Sequence, residues 1–184
     1  MTTSEAAGLS AVIAGLVRDI PDFPKPGVTF KDITPLLHDH MAFTLVVDAL
    51  ASAGRDADGD VVIDKVVGME ARGFILAAPV ALSLGVGFVP VRKPGKLPWQ
   101  TRAVSYDLEY GSETLEMHVD ALDEGDRVLV VDDVLATGGT ARATAELVEQ
   151  GGGSVHGLAM MLELSFLHGR ETVADLPLTV LHTV

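Results

Sequence analysis

A chain of 184 residues that is 48% apolar is long enough for one domain with a sizeable core, and it is neither disordered in composition nor provided with the roughly 20 consecutive apolar residues that span a bilayer. It holds no cysteine, which excludes a disulfide framework and thiolate metal sites. The formal net charge of −13 disfavours a nucleic-acid binder and repels anionic ligands at long range, so any phosphate site must rest on local amides and a few well-placed cations. The opening Met-Thr-Thr-Ser-Glu has no basic segment followed by an apolar core, so no signal peptide is expected and the cytoplasm is the default location.

In chain order, Leu9, Val12, Ile13, Leu16 and Val17 recur at the spacing of one helix face and predict an amphipathic packing helix over residues 4–19. Residues 20–37 follow, where Pro21, Pro24, Pro26, Pro35 and Gly27 oppose a regular helix. Phe23, Val28 and Phe30 interrupt this polar stretch, which suits either a packed surface loop or a wall for a flat ligand. A second helix is predicted over 39–52, with Asp39 as its N-cap and Phe43, Val46, Val47 and Leu50 on one face. His38 and His40 flank its start without further metal ligands, as a solvated helix start. Residues 54–60 read as a loop, 61–67 as a strand and 75–84 as a helix, joined by Gly68-Met-Glu-Ala-Arg-Gly-Phe74.

A short strand is predicted over 87–91. Residues 92–102 then carry four of the chain's thirteen Lys and Arg residues, interleaved with Pro-Gly and Leu-Pro. A mobile basic loop on so acidic a chain reads as a lid over a phosphate site. Residues 103–110 and 114–119 alternate in polarity and predict a β-hairpin turning at Gly111-Ser-Glu.

The most informative stretch is Val128-Leu-Val-Val-Asp-Asp-Val-Leu-Ala-Thr-Gly-Gly-Thr140. Its continuous apolar run predicts a strand over 126–132, buried on both faces of a parallel sheet. The glycines after it expose backbone N–H groups at the start of a helix over 140–150, where the helix dipole favours an anion. Thr137 and Thr140 add hydroxyl donors. Two carboxylates beside such a cradle would repel a bare phosphate, but they suit ribose hydroxyls or Mg²⁺, so the motif points to a phosphorylated sugar. Strands over 155–164 and 178–184 complete the pattern. Strands alternating with helices predict an α/β fold: a Rossmann-like, mainly parallel sheet flanked by helices.

The 128–140 motif resembles the phosphoribosyl pyrophosphate (PRPP) signature of the type I phosphoribosyltransferases. Three further motifs, in family order from Phe23 to Arg170, resemble the adenine phosphoribosyltransferases: Phe-Pro-x-Pro-Gly-Val, Glu-Ala-Arg-Gly-Phe and Ser-Tyr-Asp-Leu-Glu-Tyr-Gly. The resemblance implies a single domain over 1–184, with a small hood from about 20–37 plus 164–184 and a flexible catalytic loop over about 92–110. It implies transfer of phosphoribose from PRPP to adenine, giving AMP and pyrophosphate, in a homodimer that binds neither nucleic acid nor membrane. Ala136, Thr137, Gly138, Gly139 and Thr140 would grip the 5′-phosphate, and Asp132 and Asp133 the ribose hydroxyls. Arg72, Lys93 and Lys96 would bind pyrophosphate. Mg²⁺ would be held mainly through PRPP, near the two aspartates, without dedicated protein ligands. Adenine would stack on Phe30 and pack on Leu164, with its edge read near Thr29 and Lys31. Relatives often have Arg at the position of Lys31, whose role stays open. Glu109 would exchange a proton with N7. In relatives one peptide bond of the pyrophosphate loop is cis, here Glu70–Ala71. Relatives using 6-oxopurines commonly carry Asp at the position of Ala136, so this chain favours adenine. The rival functions are a phosphoribosyltransferase for another base and a non-catalytic PRPP-sensing regulator.

Overall fold

The computed structural model describes residues 3–108 and 111–184. The chain begins with α1 (Thr3–Leu16), the antiparallel pair β1 (Arg18–Ile20) and β2 (Phe30–Asp32), α2 (Thr34–His38) and α3 (His40–Ala51). Leu9 and Ile13 of α1, and Val46, Val47 and Leu50 of α3, are buried as their spacing requires. Asp39 caps α3, its carboxylate accepting the Ala42 N–H at 2.9 Å. Prolines do not keep residues 20–37 free of helix. Pro35 stands in the first turn of α2, where a missing N–H leaves no hydrogen bond unmade.

The rest of the chain is β3 (Lys65–Met69), α4 (Arg72–Leu84), β4 (Gly87–Val91), β5 (Thr101–Leu108), β6 (Gly111–His118), β7 (Arg127–Leu135), α5 (Gly139–Gln150), β8 (Ser154–Glu163), α6 (Gly169–Thr172) and β9 (Leu178–Thr183). A five-stranded parallel sheet runs in the order β4-β3-β7-β8-β9, confirming the α/β expectation. Alternate residues of the central strand feed two cores. Leu129 and Val131 pack with α1, α3 and α4 on one face, while Val128 and Val130 pack with α5 and the β5–β6 hairpin on the other. The sheet is therefore the middle of three layers, and β7, buried on both faces, is its axis.

Several boundaries differ from the sequence reading. β3 begins four residues later than predicted, because Val61 makes only an isolated bridge with Arg55. β7 continues past the two aspartates to Leu135, since β8 stays paired with it as far as Glu163. Gly111, Ser112 and Glu113 do not turn the hairpin but pair with Leu108, Asp107 and Tyr106. Thr101–Leu108 is strand, as the hairpin prediction over 103–110 expects, so the loop placed over about 92–110 does not include it. Residues 164–184 are not all hood, because β9 is the edge strand of the main sheet. Among the described residues no helix is long and apolar enough to cross a membrane.

Candidate active site

Strands β3 and β7 are neighbours, yet their helices lead in opposite directions along the sheet, α4 to β4 and α5 to β8. The carboxyl ends of two such strands form a topological switch point, where open α/β sheets bind ligands. A cleft of about 700 Å³ opens there. Arg72 enters it from the β3–α4 junction, and Asp132, Asp133, Ala136 and Thr140 from β7 and the turn after it. Thr29, Phe30 and Lys31 form one wall, Lys93 and Lys96 a second, and Leu164 faces in from the end of β8. A smaller pocket of about 60 Å³ adjoins it and is lined by Thr137, Gly138 and Thr140. Thus the structure brings together residues from five separate segments that the sequence singles out. Gly139 lines neither space, and Glu109 lies outside the described residues.

The two acids are unlike their surface counterparts. Asp133 is 4% exposed, and Arg72 Nη2 lies 2.8 Å from its Oδ2. That contact is an ion pair without hydrogen-bond geometry, so Oδ2 keeps an unused acceptor direction. Asp132 Oδ1 accepts the Asp133 N–H at 2.9 Å. A Cβ on Gly73 would stand 2.6 Å from the same oxygen, so only glycine fits beside this carboxylate. Burial, and then the charge of Asp133, hold the pKa of Asp132 well above the ordinary carboxylate range. Burial also raises Asp133, with Arg72 opposing. Two carboxyls that resist ionisation in the free protein are poised for a ligand offering hydrogen-bond donors or a cation.

Arg72 makes further contacts across the cleft. Its guanidinium also donates to the Lys31 carbonyl at 3.1 Å and stacks over Phe30, 4.8 Å from the ring centroid. Phe30 in turn meets Phe23 edge-on at 5.2 Å. The Lys31 ammonium is engaged by Asp19 at 2.7 Å, while the backbone of Lys31 is what Arg72 holds. The planar side chain at this wall is that of Arg72.

The basic loop is gathered by an acid that sequence reasoning missed. Glu70, whose peptide bond to Ala71 is cis, pairs with Lys96, accepts the Lys93 N–H at 3.1 Å and meets Arg92 Nε at 3.3 Å. These contacts, Lys96 first, hold its pKa at about 2. Lys93 Nζ lies 3.2 Å from Glu113. The signal was an acid within a junction motif on a chain whose cations cluster at 92–102, but no spacing rule joins the two.

The cradle at the start of α5 is built from two backbones in contact. Gly138 has φ +85°, a conformation that side chains disfavour, and a Cβ there would meet the Gly169 carbonyl at 2.6 Å. A Cβ on Gly169 would fall 2.1 Å from the Ala136 carbonyl. The Thr172 hydroxyl donates to the Thr137 carbonyl at 2.7 Å, and Arg142 Nε to the Thr172 carbonyl at 3.2 Å. Residues 169–172 therefore brace the turn that leads into the N-terminus of α5, the kind of helix start that favours an anion. Among the described residues no group of three or more His, Cys, Asp and Glu could hold a metal ion. The Asp132–Asp133 pair nevertheless suits a hard divalent cation carried in by an anionic ligand, because it gathers carboxylate oxygens at the cleft and a cation would favour their ionised form.

Comparison with known proteins agrees with this geometry. Residues 36–171 match the phosphoribosyl transferase domain family. The chain is 67% identical over 180 residues to the adenine phosphoribosyltransferase of Nocardioides sp. (strain ATCC BAA-499 / JS614), covering 98% of this chain and 97% of that one. Its fold is similar to the crystal structure of adenine phosphoribosyltransferase from Rhodothermus marinus, with a TM-score of 0.90, 49% identity, and coverage of 97% and 99%. It is also similar to the Saccharomyces cerevisiae adenine phosphoribosyltransferase solved with an imino-altritol bisphosphate and adenine, with a TM-score of 0.89, 39% identity, and coverage of 95% and 99%. With the switch-point cleft, its acid pair and its braced anion cradle in place, the chain belongs to the adenine phosphoribosyltransferases of the type I phosphoribosyltransferase family.

Proposed function

We propose that this protein transfers the phosphoribosyl group of PRPP to adenine, forming AMP and pyrophosphate. One observation carries the reading: a cleft and the smaller pocket beside it bring together a helix-start turn, a pair of poised acids, a cluster of cations and an aromatic–aliphatic wall, the groups that PRPP and a flat base would need. The presence of adenine in the related yeast structure supports the choice of base. So does Ala136, which offers no side-chain partner to N7 where a 6-oxopurine enzyme would need one.

The roles follow from charge. Breaking the bond between the anomeric carbon and pyrophosphate builds positive charge on the ribose and negative charge on the leaving group. Ala136 to Thr140 grip the 5′-phosphate, which does not react and so contributes binding energy for positioning. Asp132 and Asp133 accept the ribose hydroxyls and lie near the developing cation. Arg72, Lys93 and Lys96 stabilise the departing pyrophosphate, and Arg72 must exchange Asp133 for it. Adenine stacks at Phe30 and packs on Leu164, with Thr29 and the Lys31 backbone at its edge. Glu109 handles the proton at N7. Mg²⁺, carried in mainly through PRPP and held near Asp132 and Asp133, would supply Lewis-acid charge neutralisation. We further propose a cytoplasmic homodimer with no nucleic-acid or membrane partner, in keeping with a net charge of −13.

Purified protein given PRPP, adenine and Mg²⁺ is expected to release one pyrophosphate per AMP, to stop on chelation with EDTA and to resume when Mg²⁺ is restored. Pyrophosphate release that does not depend on adenine would contradict the reading.

A further inference from the structure

The hairpin β5–β6 reaches the phosphate cradle through one side chain to which neither the motifs nor the function above gives a role. Tyr106 Oη lies 3.0 Å from Thr140 Oγ1 and donates to Glu113 Oε2 at 3.1 Å. The other oxygen of Glu113 is 3.2 Å from Lys93 Nζ. The ring itself rests on Gly139, where a Cβ would stand 2.9 Å from Cδ2 and 3.1 Å from Cε2. A continuous polar path therefore runs from a cation of the basic loop to a hydroxyl of the cradle: Lys93, Glu113, Tyr106, Thr140. It is built from three segments far apart in sequence.

We propose that Tyr106 is a positioning residue that orients the Thr140 hydroxyl toward the 5′-phosphate of the substrate and seats the hairpin on the cradle. The inference rests on the cradle reading above. It follows from counting protons. A threonine hydroxyl has one proton to give and two acceptor directions, and so does a phenol. In the free protein the phenol proton is committed to Glu113, so Thr140 donates to the phenol oxygen. A bound phosphate has no donor of its own when fully ionised and takes the Thr140 proton. The phenol must then turn its proton from Glu113 to Thr140 Oγ1, which fixes the threonine with its proton aimed at the phosphate. Burial, and after it the Glu113 carboxylate, raise the phenol pKa, so the proton is there to be turned. Filling the cradle thus withdraws one donor from Glu113, the partner of Lys93, and links the two ends of the site.

The test is a double-mutant cycle on the full chain, with ribose 5-phosphate as the calorimetric probe and PRPP in steady-state kinetics. Tyr106→Phe keeps the ring on Gly139 and removes only the hydroxyl. It is expected to weaken ribose 5-phosphate and to raise the KM for PRPP by about 5–10-fold, the worth of one net hydrogen bond, with kcat changing much less and the KM for adenine unchanged. Thr140→Val is expected to weaken ribose 5-phosphate at least as much, and Tyr106→Phe to add nothing in that background. Thr140→Ser keeps a hydroxyl and should remain sensitive to Tyr106→Phe. Wild-type affinity in Tyr106→Phe, or additive losses in the double variant, would overturn the proposal; so would a fall in melting temperature with binding unchanged, which is the mark of a packing role alone. Failure of the wild type to bind ribose 5-phosphate would overturn it together with the cradle. Binding without adenine turnover would count against the proposed reaction only and leave the cycle decisive.

Discussion

Asp132→Asn should lower kcat/KM for PRPP by about 10²–10³-fold and at the same time raise the melting temperature of the ligand-free protein at neutral pH. The loss follows from removing one charged group proposed to lie beside the developing cation, taken as about 2.7–4 kcal/mol, the size found for removing one preorganised charge-stabilising group from an active site. The gain in stability follows from the same charge. The pKa of Asp132 in the folded protein is raised above its ordinary value of 3.8, first by burial and then by Asp133. Between the ordinary value and the raised one, the native state holds a proton that the unfolded chain has released, so stability falls as pH rises through that window. An asparagine carries no such penalty. Even 1 kcal/mol would appear as a shift of about 2–4 °C in a domain of this size. Asp32, Asp64 and Glu70 act in the opposite sense: their pKa values are lowered, so their contribution is complete above the ordinary carboxylate range and lost as pH falls. Asp133→Asn should cost comparable activity without the stability gain, because Arg72 would lose its carboxylate. Rates and melting curves of the two variants from pH 5 to 8 check both halves. Unaltered turnover in Asp132→Asn would remove the aspartate from the ribose site.

Gly169→Ala should damage PRPP binding from behind the site, although Gly169 lines neither the cleft nor the smaller pocket. Its Cβ would stand 2.1 Å from the Ala136 carbonyl and 3.0 Å from the Gly138 nitrogen, backbone atoms that cannot turn aside. The turn must shift, and with it the residues 136–140 proposed to grip the 5′-phosphate. Overpacking of this kind costs about 1–3 kcal/mol. A loss near 2 kcal/mol would lower the melting temperature by roughly 4–8 °C. The KM for PRPP should rise by about 10-fold or more, since misplacement of 1 Å can cost 10²-fold. Gly15→Ala supplies the contrast: it lies in α1, a Cβ there meets nothing within 4 Å, and alanine favours the helix. Its melting temperature should hold or rise, with kinetics unaltered. Wild-type KM in Gly169→Ala would mean that the turn is not braced by this segment.

What was legible in the sequence was whatever is encoded in consecutive residues. β7 and α5 announce themselves because a strand buried on both faces must be continuously apolar and the turn after it must be small. α3 and its Asp39 cap follow from period and chemistry alone. The misreadings have a common cause, which is that tertiary pairing sets where elements end. Val61 is as apolar as Val66, but only the segment from Lys65 finds neighbours in β4 and β7. The aspartates look like the end of a strand by polarity, yet β8 carries the ladder three residues further. Gly111 looks like a turn and is instead paired. The site divides in the same way. Residues that would touch ligand sit in contiguous motifs and were found. The groups that hold them in place were not, because Glu70 with Lys96, Tyr106 with Thr140 and Gly169 with Ala136 meet across 26, 34 and 33 positions of chain, which no local pattern records.

The choice of base is decided by nucleotide formation from PRPP and Mg²⁺ with one free base per reaction: adenine, hypoxanthine, guanine or xanthine. AMP is expected from adenine and no nucleotide from the three 6-oxopurines, which find no partner at Ala136. Turnover of a 6-oxopurine in preference to adenine would contradict the assignment of Phe30, Leu164 and Ala136 while sparing the PRPP site, and PRPP binding without turnover of any base would contradict the reaction itself.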